Sequence, residues 1–255
     1  MDSGGAEKAN VSDAFEQAWR ERFGEFAALS ENDAGIAGWS ESGLAARFRR
    51  FRELWCERRA DACWLDAGCG AATYARYLEA HGAFVVGVDY SFPSVVKARE
   101  RASRNIAFVI ADVRQLPLRT GGFAGVLCFG VTQALSDSGD VVLELGRCLS
   151  PGGELWIDGL NRYCLPNALH DWWRRLRGKP AHLRYEGPWA LKRRLLTAGF
   201  VDVRLHWMPV APRSLGGLQR WLESAPARLA LKWLPPISVL VSHAFIIVGR
   251  SRWRG

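Results

Sequence analysis

No stretch of the 255-residue sequence approaches the apolar length needed to cross a membrane. The N-terminal MDSGGAEKANVSDAFEQAWRERF has neither the basic start nor the apolar run of a secretory signal. The expectation is a cytoplasmic protein. The cysteines lack a pattern as well. Cys56, Cys63, Cys69, Cys128, Cys148 and Cys164 form no CxxC pair and have no histidine at zinc-ligand spacing, which argues against a metal site and for free, buried thiols in a reducing compartment. Internal repeats and low-complexity tracts are also missing. What is present is ordinary for a globular chain, 49% hydrophobic and 24% charged residues, enough to bury a core.

The net charge of +8 is unevenly placed. Residues 1–169 carry 18 Lys/Arg against 22 Asp/Glu, a net of −4, whereas residues 170–255 carry 16 against 4, a net of +12. Seven of the twelve tryptophans (Trp172, Trp173, Trp189, Trp207, Trp221, Trp233 and Trp253) fall in that basic part. The mixture suits an anionic surface or substrate, and equally a solvated basic face over a Trp-rich core.

From about residue 62, short apolar runs alternate with longer helix-like stretches, the pattern of strands joined through helices into a parallel sheet. Strands are expected over 63–68, 84–89, 106–112, 125–130, 154–160, 201–207 and 244–250, and helices over 73–82, 93–103, 137–149 and 188–200. Pro-Gly-Gly at 151–153 turns the chain ahead of the fifth strand. Residues 10–60 read as two helices, so that 1–60 forms an N-terminal helical lid on a domain spanning 61–255. Two insertions interrupt that domain, near 161–187 and 208–242. In the first, Leu165, Leu169, Trp172, Trp173 and Leu176 recur at helical spacing, with His170, Arg174 and Arg177 on another face. The second holds two amphipathic stretches, LGGLQRWLES and PARLALKWL, split at Pro226.

The segment LDAGCGAAT carries the strongest chemical signal: a strand ends at Asp66 and runs through Gly68, Cys69 and Gly70 into a helix. Glycines there let the chain turn sharply and let a ligand lie against bare main chain. Alone, the loop is compatible with a dinucleotide, a nucleoside sulfonium or a tight turn. Asp89, at the end of the second strand and 21 residues after Gly68, can accept both hydroxyl protons of a ribose. The third glycine of the dinucleotide pattern is replaced by Thr73, and the Asp66 carboxylate repels a pyrophosphate but not the amino group of a methionine moiety. Asp112, ending the third strand, can meet an adenine edge together with the adjacent amide.

LDAGCG, VGVDYS, ADVRQLPL, the CFG that ends the fourth strand and the LSPGGEL turn resemble the successive motifs of class I S-adenosylmethionine-dependent methyltransferases, over roughly residues 60–160. TAGFVDVRL and HAFIIVGR resemble that family's reversed final strands. The resemblance implies an α/β, Rossmann-like fold: a seven-stranded, mostly parallel sheet with helices on both faces and a reversed final strand, here with helical insertions. It implies S-adenosyl-L-methionine as cofactor and in-line methyl transfer as reaction. By the same resemblance Gly68 and Gly70 back the methionine part, Asp66 lies near its amino group, Asp89 takes the ribose, and Asp112 with Val113 meets the adenine. The resemblance further implies that Tyr90 packs on the adenine ring and that Phe129 and Gly130 border the methyl-transfer pocket.

The residues after the fourth strand bound the acceptor. FGVTQAL lacks the Asn-Pro-Pro-aromatic motif of relatives that methylate exocyclic amines, and Cys128 lacks the preceding proline of the cytosine-carbon enzymes. Nucleic acid is therefore disfavoured, leaving a small-molecule, glycan or lipid acceptor, with peripheral contact to an anionic membrane as an option for the basic third. A sulfonium methyl is already activated, so alignment and exclusion of water suffice without a dedicated base. If a base acts, His170 is the first candidate, because the insertion after the fifth strand should fold over the ligand-binding edge and Asp171 is adjacent. Gln133 is placed to hydrogen-bond an acceptor at the mouth of the fourth strand. Tyr163, His206 and His243 are further polar candidates, each with a plain packing role as the alternative. The competing function is a non-catalytic S-adenosylmethionine-binding scaffold whose basic C-terminal third docks on membrane or RNA.

Overall fold

Neighbouring strand residues point to opposite faces of a sheet, and here both faces are covered, so the strands read as nearly continuous apolar runs. The computed structural model describes residues 3–55, 62–178, 183–209, 224, 226 and 233–252. Its sheet comprises β1 (Cys63–Ala67), β2 (Phe84–Asp89), β3 (Ile106–Ile110), β4 (Phe123–Cys128), β5 (Leu149–Leu160), β6 (Phe200–Pro209) and β7 (Ser242–Ser251), in the order β3-β2-β1-β4-β5-β7-β6. The first five are mutually parallel, and β7 runs antiparallel to both β5 and β6. The fold is thus the Rossmann-like α/β sheet with a reversed final strand. The strand order turns back between β1 and β4, the switch point at which open sheets of this kind leave a crevice beyond the strand ends.

The helices are α1 (Ser3–Leu29), α2 (Asp33–Ile36), α3 (Glu41–Leu54), α4 (Thr73–Glu79), α5 (Phe92–Arg101), α6 (Gly139–Cys148), α7 (Leu165–Leu176), α8 (Pro188–Thr197) and α9 (Pro235–Val241). Among the described residues, none of them is long and apolar enough to cross a membrane. One layer packs Val141 and Leu145 of α6 and Leu191 and Leu195 of α8 against Leu65, Leu155 and Ile247. The opposite layer packs Phe51 of α3 and Tyr74 and Leu78 of α4 against Trp64, Leu127 and Trp156.

Two details differ from the sequence reading. The N-terminal region forms three helices, not two, because two side chains cap new starts: Asn32 accepts the Gly35 N–H at 2.7 Å and Ser40 the Gly43 N–H at 3.1 Å. Pro-Gly-Gly at 151–153 does not precede β5 but is absorbed into it, as an irregularity in register between Phe123 and Gly125 of the partner strand. The stretches LGGLQRWLES and PARLALKWL, like Cys56, Trp221 and Trp253, lie wholly or mostly outside the described residues.

Phe51 is fully buried and sets its ring edge-on to Trp156, Tyr74 and Phe129 at 5.5, 5.4 and 5.8 Å between centroids, which docks α3 on the sheet. Phe51→Ala is expected to lower unfolding stability by about 3–5 kcal/mol, measured by denaturant titration.

Candidate functional site

The chain leaving β1 folds back over the end of β2, where the N–H groups of Gly68 and Cys69 both donate to the Val88 carbonyl, at 2.7 and 2.9 Å. Gly68 sits at φ +78° and Gly70 at φ +49°, left-handed conformations that glycine adopts without steric cost. A Cβ on Gly68 would also lie 2.2 Å from Cγ2 of Val131, so the loop after β4 presses on the loop after β1. Ala72, at φ +60°, holds the same conformation with a side chain and starts α4 without a side-chain cap.

Aspartates stitch these loops together. Asp89 accepts the Gly70 N–H on Oδ2 and the Ser91 N–H on Oδ1, both at 2.9 Å. Asp66 accepts the Ala75 N–H at 3.2 Å. Asp158, in β5, accepts the Gly130 N–H on Oδ1 at 2.7 Å and Nε–H of Arg47, from α3, on Oδ2 at 3.0 Å. The Arg47 guanidinium in turn lies 4.4 Å from the ring centre of Trp39. Burial pushes all three carboxyls up from their ordinary values, Asp66 to about 7.

Around the loops lies a cleft with about 940 Å³ of empty space, open solvent at its mouth included. One side is β-sheet loop: Gly68, Gly70, Asp89 and Asp112 among others. The other side comes from the N-terminal region: Glu16, Trp19, Arg20 and Phe23 of α1, Ile36 of α2, Trp39 in the link before α3, and Leu44 of α3. Charge holds α1 there. Glu16 accepts from Ser136 Oγ and from Arg114 Nη1, each at 2.5 Å, and Arg20 Nη2 meets Asp112 Oδ2 at 2.5 Å. Burial pushes the Asp112 carboxyl up, but the Arg114 and Arg20 guanidiniums outweigh it and hold the group below its ordinary value. At the opposite end the walls are aromatic, with Trp39, Tyr74 and Phe129; the buried Tyr74 hydroxyl has no hydrogen-bond partner among the described residues. Among the same residues no cluster of three His, Cys, Asp or Glu side chains could hold a metal ion.

Residues 65–157 match the family model described as a methyltransferase domain. Over those residues the chain carries a methyltransferase domain. It is 34% identical over 121 residues to a malonyl-[acyl-carrier protein] O-methyltransferase of Enterobacter lignolyticus, covering 48% of this chain and 47% of the relative. It is 29% identical over 101 residues to a ubiquinone biosynthesis O-methyltransferase of Coxiella burnetii, covering 38% and 43%. The match thus spans about half the length of these curated relatives. Over 96% of this chain and 99% of the other, the fold resembles magnesium protoporphyrin IX methyltransferase of Synechocystis, solved with S-adenosylhomocysteine, at a TM-score of 0.58 and 14% identity.

The methyltransferase domain brings eight of the sequence-predicted residues to this one cleft: Gly68, Gly70, Asp89, Tyr90, Asp112, Val113, Phe129 and Gly130 all line it. Asp66 does not; it lies one layer behind, its carboxylate turned to the start of α4. Neither candidate for the chemistry of transfer borders the cleft. His170 is exposed on α7, no described residue of which lines the space, and Gln133 is buried in a short turn (Thr132–Ala134) whose next residues, Ala134 and Leu135, do line it. The insertion after β5 therefore does not cover the ligand-binding edge through α7, because that helix seats its polar face elsewhere. Tyr163 is exposed, and His206 and His243 are both pushed down to about 4, chiefly by burial. Cys69 is buried in the loop, its thiol raised well above the usual range. The helices of residues 1–55 supply walls that sequence patterns do not single out, Trp19, Arg20, Phe23 and Trp39, and the domain itself adds Tyr74 and Arg114; the only sign in the sequence is aromatic residues set among acids and arginines.

The position of Asp66 has a measurable consequence. Its folded-state pKa of about 7 lies above its ordinary 3.8, so the stability it contributes is full below about pH 4 and lost as pH rises through about 7. Asp66→Asn keeps an acceptor for the Ala75 N–H, and is expected to flatten the fall in unfolding free energy between pH 4 and 7 by up to about 1.4 kcal/mol per pH unit. Parallel denaturant titrations across that range check it.

Proposed function

We propose that the protein binds S-adenosyl-L-methionine in this cleft and transfers its methyl group to a small-molecule, glycan or lipid-type acceptor. The observation that carries this reading is the gathering of bare main chain at Gly68 and Gly70 with the buried Asp89 carboxylate, under aromatic walls, in a space of small-molecule size. When bound, the cofactor supplies a methyl group already activated by its sulfonium.

Each end of the cleft has a role in this reading. Asp89 spends two of its roughly four acceptor sites on main-chain N–H groups and keeps the others for ribose hydroxyls. Both oxygens of Asp112 already meet arginines, so the adenine edge falls to the main chain at Asp112–Val113, beside the Tyr90 ring. Phe129, Gly130, Trp39 and Leu44 shape and dry the methyl end. Tyr74 lines that end with a buried hydroxyl that has no partner among the described residues, and in this reading it is the group that hydrogen-bonds the acceptor. Both curated relatives are O-methyltransferases by name, which favours an oxygen acceptor.

Calorimetric titration of the purified protein with S-adenosylmethionine is expected to show binding that Asp89→Ala weakens by about 10- to 100-fold, the worth of hydrogen bonds to a charged group. Unchanged affinity would overturn the ribose assignment. Incubation with labelled cofactor and fractionated cell extract should place label in the small-molecule, glycan or lipid pool; label in RNA or protein alone, or none at all, contradicts the acceptor class. Tyr74→Phe should lower kcat/KM for the acceptor by about 3- to 10-fold while leaving cofactor affinity in place. A loss of cofactor affinity instead would move Tyr74 to the methionine end.

A further inference from the structure

Helix α7 is turned inside out. Along its length Leu165, Leu169, Trp172, Trp173 and Leu176 recur on an arc of about 100°, and each is 49–65% exposed. The polar side faces the protein instead: Asn167 is buried, its Nδ2 donating to the carbonyls of Asn161 and His243 at 3.4 and 3.3 Å and its Oδ1 meeting His243 Nδ1 at 2.7 Å. A helix of this composition ordinarily buries its apolar stripe. Contiguous surface extends the patch, since α9 packs on α7 and exposes Ile237 and Leu240, while Tyr163 lies 5.2 Å from the half-exposed Trp189.

Charge identifies what would cover it. Arg175 and Arg177 fall on either side of the apolar arc, and both are exposed. The Arg177 guanidinium lies over the Trp173 ring, 3.2 Å from its centre, so base and aromatic share one edge of the stripe. Asp171 is the single acid of the helix; it lies on the inward side and within 4.0 Å of Arg175. An apolar stripe rich in tryptophan, bordered on both sides by arginine, is the form of a helix that lies in the headgroup layer of an anionic bilayer. A protein partner would need no cationic border, and a nucleic acid no leucine stripe.

We propose that α7 is a membrane-surface helix, which seats its leucines and tryptophans in the outer layer of an anionic lipid surface with Arg175 and Arg177 at the phosphates. The proposal does not rest on methyl transfer, and its test reads binding alone. Cosedimentation compares vesicles of phosphatidylcholine with vesicles of equal parts phosphatidylcholine and phosphatidylglycerol. The intact protein is expected on the anionic vesicles, released as salt is raised. Trp172→Gln/Trp173→Gln should cut the partition by about 10-fold or more, given the area each ring would bury. Arg175→Glu/Arg177→Glu should remove the preference for anionic lipid, at about 5-fold per arginine lost. Because these side chains point outward, thermal melting of both variants should match the parent. If one variant fails to fold, the other still reads the surface. Absence of cosedimentation at low salt, or sedimentation that neither variant changes, overturns the proposal. So does a patch found covered by a second copy in sedimentation velocity, or RNA binding by the parent that both variants lose.

Discussion

Three buried aspartates at strand ends each take a main-chain N–H from a neighbouring segment, and the shape of the cleft depends on these bonds. Asp66 of β1 holds the start of α4, Asp89 of β2 holds the loop after β1, and Asp158 of β5 holds the loop after β4. A buried carboxylate without such partners would cost several kcal/mol, so each acid confines its loop as firmly as the loop shields the acid. The loops are thereby fixed laterally, strand to strand, independently of any ligand. Preorganisation of this kind is what a binding site for a flexible, charged small molecule needs, since the ordering cost is met during folding.

The Arg47–Asp158 pair extends this scheme to the N-terminal helices. Both partners are nearly inaccessible, and the pair joins α3 to the same carboxylate that holds Gly130. Trp39 stacks on the arginine and fills the space that a Cβ on Gly130 would need, 2.2 Å from its ring. The wall of the cleft and the sheet are therefore parts of one network, although they are some hundred residues apart in the chain.

Much of the sheet side was legible in the sequence, for a local reason. Strand, tight turn and helix follow one another within LDAGCGAAT, and an acid ends each neighbouring strand, so the positions of Gly68, Gly70, Asp89 and Asp112 follow from chain order alone. Asp66 shows the limit of that logic, because nearness to Gly68 in sequence says nothing of which side of the strand its carboxylate takes. His170 shows another. Helical spacing separates it correctly from the leucines and tryptophans of α7, but the usual rule that the apolar side turns inward fails for this helix, and the expectation of a helix folded over the cleft fails with it. The walls contributed by Trp19, Phe23 and Trp39 were not legible, since they arise from contacts between distant segments that no local pattern encodes. The sheet side lies within local motifs and those walls do not, which is why the cofactor could be read from the residues and the acceptor only bounded.

Glu16 touches the loop after β3 through Arg114 and the loop after β4 through Ser136, so one carboxylate on α1 spans both sides of the crevice. Seating of that helix and occupancy of the cleft are then linked equilibria. A ligand that needs the indole of Trp19 and the ring of Phe23 as its roof binds only the fraction of molecules with α1 in place, and its apparent affinity is divided accordingly. By reciprocity, any ligand that uses Trp19 and Phe23 in this way would tighten the hold of the cleft on α1.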